Sequence, residues 1–139
     1  MFEGEGRCAL DEKGRFNFPA RFREEIGETF KVTRWLEDCL VAMPMHQWER
    51  LKSKLMTDSL VKGSKVRRKL FGGAVTVSPD KQGRILLTPE LREHAGIDKE
   101  IAVLGVGEVV EIWSLEALRA MDMKDESDEI EAAMLELGI

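Results

Sequence analysis

Two arginines, Arg15 and Arg84, each follow a glycine at the end of a short Asp-x-x-Gly-Arg run, and the two runs lie 69 positions apart. The first reads Asp11-Glu12-Lys13-Gly14-Arg15 and the second Asp80-Lys81-Gln82-Gly83-Arg84. An aspartate at the head of such a run can accept hydrogen bonds from backbone N–H groups just downstream, and glycine tolerates positive φ. Each run therefore reads as a tight turn. A guanidinium carried on a turn can approach a phosphate or the edge of a guanine, and Lys13 and Lys81 add charge beside it. Asp11 could instead pair with Arg15 only to shape the turn. The two readings are compatible, since an aspartate can orient an arginine that also faces DNA. The recurrence within one chain favours recognition.

The likeness continues downstream. Phe22, Arg23 and Glu24 recur as Leu91, Arg92 and Glu93, while the proline slips by one, from Pro19 to Pro89. Arg21, Arg23 and Arg92 then belong to short helices after the prolines, free to contact phosphate or to pair with Glu24 and Glu93. Arg21 has Glu90 as its counterpart. By sequence proximity the first turn is better supplied, with Lys13, Arg21 and Arg23, than the second, with Lys81 and Arg92. The first is expected to carry more of any binding. A further cluster, Lys62, Lys65, Arg67, Arg68 and Lys69, could be a solvated face, a DNA contact, or a partner for the acidic tail of the same or a neighbouring subunit.

The elements that must position these residues are mostly strands. Arg7 to Leu10 reads as a short strand entering the first turn, with Arg15 to Phe18 as its hairpin return because Phe16 and Phe18 alternate about Asn17. A short helix over 20–26 stops at Gly27. Phe30 to Thr33 and Cys39 to Met43 read as paired strands, the second ended by Pro44. From Gln47 the period becomes helical through Trp48, Leu51 and Leu55, predicting a helix that ends before Gly63. Ser64 is then an N-cap for a helix carrying Val66 and Leu70 inward. The pattern repeats as a strand from Ala74 to Val77, another over 85–87, a helix capped by Thr88 with Pro89 at its first position, and a stop at Gly96. Strands over 101–104 and 109–113 follow, with Ser114 capping a helix through Leu118. Ile130, Met134 and Leu137 lie at helical spacing in the tail, either docked or frayed. The organisation is thus a first repeat over 5–47, a basic helical connector over 48–73, a second repeat over 74–119, and an acidic tail over 120–139.

The chain of 139 residues is 43% hydrophobic and 34% charged, the balance of a folded soluble protein. The opening Met1-Phe2-Glu3-Gly4-Glu5 lacks the basic and apolar regions of a secretory leader, and a cytoplasmic location is expected. The net charge of −5 conceals a split: residues 50–92 carry eleven Lys/Arg against three Asp/Glu, and residues 93–139 carry three against thirteen. A chain divided in this way can still present a positive face to phosphate.

Catalytic and metal chemistry find little support. Cys8 and Cys39 are far apart and read as free thiols, and with only His46 and His94 beside them no zinc spacing arises. Gly105-Val106-Gly107 lacks the third glycine and following helix of a dinucleotide fingerprint and reads as a hairpin turn, as Gly72-Gly73 reads as a turn or bulge. Trp35, Trp48 and Trp113 read as core or interface anchors. No enzyme, cofactor, metal or small-molecule substrate is expected.

The Asp-x-x-Gly-Arg motif followed by proline and arginine resembles the swapped-hairpin, AbrB-type DNA-binding element. Two copies, with the Met1-Phe2-x-Gly4 start and Gly105-Val106-Gly107 followed by Glu111-Ile112-Trp113, closely resemble the MraZ family over residues 1–119. That resemblance implies a mixed β/α, mainly β fold: a pseudo-twofold swapped-hairpin β-barrel formed by an internal duplication, with short helices and a helical connector. It implies a bacterial transcriptional regulator that binds double-stranded DNA repeats in the promoter of the division and cell-wall gene cluster, as a ring-shaped homo-oligomer associated with the nucleoid. It implicates the pairs Asp11–Arg15 and Asp80–Arg84, with Gly14 and Gly83 shaping the turns, and Arg23 four residues after Pro19; Arg92, only three after Pro89, departs from the pattern. The alternative is an oligomeric scaffold with incidental DNA binding.

Overall fold

The two repeats are interleaved. The computed structural model describes residues 1–57, 60–124 and 127–139. Strands β1 (Phe2–Ala9) and β2 (Arg15–Asn17) precede helix α1 (Ala20–Ile26), strands β3 (Phe30–Arg34) and β4 (Leu40–Pro44), and helices α2 (Met45–Met56) and α3 (Leu60–Leu70). The second half of the chain supplies β5 (Val75–Val77), β6 (Arg84–Leu86), α4 (Pro89–Ala95), β7 (Glu100–Gly107), β8 (Val110–Ser114), α5 (Leu115–Lys124) and, in the tail, α6 (Ser127–Glu136). Among the described residues only the β3–β4 and β7–β8 hairpins pair within a repeat. β1 pairs with β7, β5 with β3, β4 with β8, and β2 with β6, all antiparallel and all between repeats.

This corrects the expected hairpin return. β2 leaves the first turn and pairs with β6, Phe16 opposite Ile85, instead of folding back on β1. Those two positions are 69 apart and both face the core, so the ribbon is symmetric about them. The other pairings form one six-stranded sheet in the order β1-β7-β8-β4-β3-β5. Among the described residues the strand pairings run from one edge to the other and close no barrel. One hydrophobic core serves both repeats, with Phe16, Phe18, Phe22 and Phe30 from the first meeting Ile85, Leu87, Leu91 and Ile101 from the second. The Phe18 and Phe30 rings lie 5.0 Å apart between centroids.

The proline slip has a local cause. Pro19 stands at the N-cap of α1, whereas Thr88 takes that place in α4, its hydroxyl accepting from Leu91 N at 3.3 Å, and Pro89 moves to the first helical position. Gly96 ends α4 in the left-handed region at φ +63°. The connector differs more from expectation. α2 stops at Met56, where the Thr57 hydroxyl donates to Lys54 O at 2.9 Å, and α3 runs through Gly63 and Ser64, so Ser64 is no N-cap. Leu70 is buried as expected, but Val66 is 40% exposed.

The C-terminus of α3 is held from β3. Arg34 donates to Lys69 O at 3.0 Å and Arg68 O at 2.9 Å, and the Thr33 hydroxyl donates to Leu70 O. Gly73 makes this possible, because a Cβ there would collide with the Arg34 side chain.

Gly105-Val106-Gly107 is not the expected hairpin turn but the end of a strand. Gly105 and Val106 continue β7, and the hairpin turns after Gly107, whose φ is +103°. Gly105 lies against the Phe2–Glu3 backbone, where a Cβ would clash. The Ser114 hydroxyl accepts from Ala117 N at 3.2 Å and caps α5, which runs to Lys124, past Leu118. The tail forms α6, with Ile130, Met134 and Leu137 all exposed. Asp125, Glu126 and the Lys62 side chain lie outside the described residues. Cys8 and Cys39 are free; Cys39 is buried, its thiol pushed up to about 12, by burial first and then by the charges of Glu111, Glu37 and Asp38. Trp48 and Trp113 are buried and Trp35 half-buried.

Candidate nucleic-acid interface

Each Asp-x-x-Gly-Arg run closes on itself. Asp11 N donates to Arg15 O at 2.7 Å and Gly14 N to Asp11 O at 3.1 Å; Asp80 N donates to Arg84 O and Gly83 N to Asp80 O, both at 2.9 Å. The aspartate carboxylate fills the turn. Asp11 Oδ1 accepts from Lys13 N and Arg15 N at 2.9 Å, and Oδ2 accepts from Arg15 Nε at 3.0 Å. Asp80 repeats the arrangement with Gln82 N, Arg84 N and Arg84 Nε, all at 2.9 Å. Both carboxyls sit below the ordinary aspartate value. The N–H of the following arginine is the largest cause in each, and the guanidinium adds to it. Gly14 and Gly83 both adopt φ +80°, the left-handed geometry that favours glycine.

The consequence for the arginines is specific. Aspartate occupies Nε, and among the described residues neither Arg15 nor Arg84 has an acceptor for its terminal nitrogens. Each side chain is 29% exposed. An arginine anchored at Nε keeps its Nη pair for a bidentate acceptor such as guanine O6/N7 or a phosphate. The local ion pair and the recognition reading therefore occupy different atoms of one guanidinium.

The helix arginines reach across the repeats. Arg92 of α4 lies over the first turn, its Cζ 3.3 Å from where a Gly14 Cβ would stand. Arg23 of α1 lies over the second, where a Cβ on Gly83 would collide with its guanidinium. The first turn therefore gathers Lys13, Arg15 and Arg92, and the second Lys81, Arg84 and Arg23. Sequence neighbours are not spatial neighbours here. The two sites also differ: Arg23 is exposed, whereas Arg92 is half-buried and its Nε has no acceptor among the described residues. Arg21 joins neither site, since its guanidinium lies over Gly4 of β1.

Sequence reading missed two members of this surface. With Phe16 and Ile85 turned into the core, period 2 puts Arg15, Asn17, Arg84 and Leu86 together on the outer face of the β2–β6 ribbon. Asn17 and Leu86 are exposed and stand opposite Arg84 and Arg15. The alternation about Phe16 was the available signal, but it carried no hint that β6 would be the partner. A two-stranded antiparallel ribbon is narrow enough to enter a DNA major groove, where an asparagine can pair with adenine and an apolar side chain can meet a thymine methyl.

On α3, Lys65 and Arg68 are exposed, while Arg67 is half-buried and donates to Leu55 O at 3.1 Å, tying α3 to α2. Among the described residues no group of three or more His, Cys, Asp and Glu is placed to hold a metal. No described helix is long and apolar enough to cross a membrane.

Fold and turns together define a duplicated mixed α/β protein, with more residues in helices than the expected mainly β fold allows, that displays two matched cationic loops at the ends of one ribbon. The family described as "MraZ protein, putative antitoxin-like" matches residues 1–68 and again 70–136, once for each repeat with the helices that follow it. The chain belongs to the MraZ family. It is 42% identical to the transcriptional regulator MraZ of Halothermothrix orenii and 41% identical to that of Syntrophomonas wolfei, in both cases over the whole of each chain. The MraZ regulator of Carboxydothermus hydrogenoformans is 46% identical over 84% of this chain and 82% of its own.

Proposed function

We propose that this protein is a sequence-specific, DNA-binding transcriptional regulator and not an enzyme. The carrying observation is the pair of Asp-locked arginines, Arg15 and Arg84, with free Nη groups on one exposed ribbon face. The names of the relatives support the reading. In it, Arg15 and Arg84 read base edges, while Lys13, Lys81, Arg23 and Arg92 hold phosphates and Arg21 makes a peripheral backbone contact. In this reading the exchange of β2 and β6 between repeats makes the ribbon and the open sheet a single-chain counterpart of the AbrB-type swapped hairpin. The sites are repeats in the promoter of the bacterial division and cell-wall gene cluster, engaged in the cytoplasm at the nucleoid. One subunit meets one short repeat weakly, and a ring of subunits engages several at once, raising affinity through effective concentration.

The test is fluorescence anisotropy with a promoter fragment from that cluster, with wild type and Arg15→Ala/Arg84→Ala compared at several salt concentrations. Each lost base contact should cost about 1–3 kcal/mol. Wild-type affinity should fall steeply with salt. Unchanged binding by the double variant would sink the site assignment. Equal, weak binding of wild type to promoter and random DNA would favour the oligomeric scaffold instead.

A further inference from the structure

α6 and α3 occupy equivalent places in the two repeats. α2 follows β4 from Met45, and α5 follows β8 from Leu115, 70 positions later. α3 and α6 come next in each. Yet α3 folds onto α2 and β3, whereas α6 has no buried residue. The registers supply a reason. β3–β4 and β7–β8 superpose with Leu104 in the place of Thr33 and Gly105 in the place of Arg34. The second repeat thus lacks the two side chains that hold the end of α3, and the Phe2–Glu3 backbone closes on Gly105.

α6 is therefore an amphipathic helix without a seat in its own repeat. Its exposed apolar stripe is Ile130 and Met134, continued by Leu137 just past its end, and it carries Asp128, Glu129, Glu131 and Glu136. Elsewhere on the molecule, an open and almost wholly apolar groove lies between α2, α3 and the turn after β3, lined by Trp35, Leu36, Leu51, Leu55, Val66 and Leu70. Lys65 and Lys69 also line it, and among the described residues neither pairs with an acidic side chain.

We propose that this groove receives α6 of a second copy of the chain. The apolar stripe fills the groove while the acidic residues meet Lys65 and Lys69. Donor and acceptor are different patches, so the contact is heterologous: each added subunit leaves one groove and one α6 open, the geometry that closes into rings or extends into filaments. The inference rests on the assembly part of the proposed function, not on DNA recognition. On this account α3 is a subunit contact, while DNA keeps the ribbon face.

Sedimentation of the full chain tests it without DNA. Wild type should form multimers. Ile130→Asp/Met134→Asp, with a spoiled arm, and Val66→Asp, with a spoiled groove, should each sediment as the single chain while keeping wild-type circular dichroism. Mixing the two variants should restore a two-chain species, because each supplies the half the other lacks. A wild type that is monomeric at all concentrations, or arm and groove variants that assemble as wild type does, would overturn the proposal. So would variants that stay monomeric on mixing. Loss of DNA binding by a groove variant that still assembles would assign α3 to DNA and likewise overturn it. Failure of the Arg15/Arg84 test with normal assembly would leave this contact standing.

Discussion

Asp11 and Asp80 govern the geometry of the two arginines, and their titration should report it. A carboxyl whose folded value is depressed contributes stability above the ordinary aspartate value of 3.8 that is lost as pH falls through the lowered one. Carboxyl NMR titration should therefore place both below the solvated aspartates, with the Arg15 and Arg84 Nε–H signals shifting only as they protonate. Midpoints at or above 3.8 would contradict the locked-turn geometry. Glycine 83 gives a second test. Gly83→Ala imposes a left-handed alanine, costing about 1–2 kcal/mol, and its Cβ displaces Arg23. Gly14→Ala has the same backbone cost but leaves 3.3 Å to Arg92 Cζ. Melting should show similar losses for both, while DNA anisotropy should show the larger defect for Gly83→Ala. Equal DNA affinities would detach Arg23 from the second turn.

At the scale of elements, the connector helices show how far a few polar contacts decide placement. Arg34 caps two carbonyls at the end of α3, and hydrogen bonds from charged groups are worth roughly 1.5–3 kcal/mol each. Arg34→Ala should therefore raise hydrogen exchange in α3 by at least tenfold while β2 and β6 exchange as in wild type. Uniform protection across the chain would show that apolar contacts alone seat the helix. The wrong start predicted for α3 has a related cause. Gly63 and Ser64 carry local stop and cap signals, but docking against α2, with Arg67 reaching Leu55 O, outweighs a glycine penalty of about 1 kcal/mol.

For the whole molecule, interleaving means that neither repeat has a core of its own. Phe16 lies at the centre of the ribbon, 1% exposed, among side chains from both repeats. Phe16→Ala should cost about 3–5 kcal/mol. The loss should appear as a single cooperative transition, read at Trp48 and Trp113 by fluorescence and across the backbone by circular dichroism. Two separated transitions would mean that the halves fold independently, against strand pairings in which every strand has a partner from the other repeat.

The sequence by itself determined the duplication, the two turns and the residue types on them, because Asp, Gly and Pro act through local backbone geometry that a short window contains. It also determined most elements, through period-2 and period-3.6 patterning and the caps at Thr88, Gly96 and Ser114. Only the tertiary structure decided partners. Pairing β2 with β6 instead of β1 is a choice between similar strands, made by burying Phe16 and Ile85 in one shared core. That choice crosses Arg23 and Arg92 between turns, removes Arg21 from both, and brings Asn17 and Leu86 onto the exposed face. Side-chain alternation sets which residues share a face, but the identity of the facing strand depends on contacts far apart along the chain.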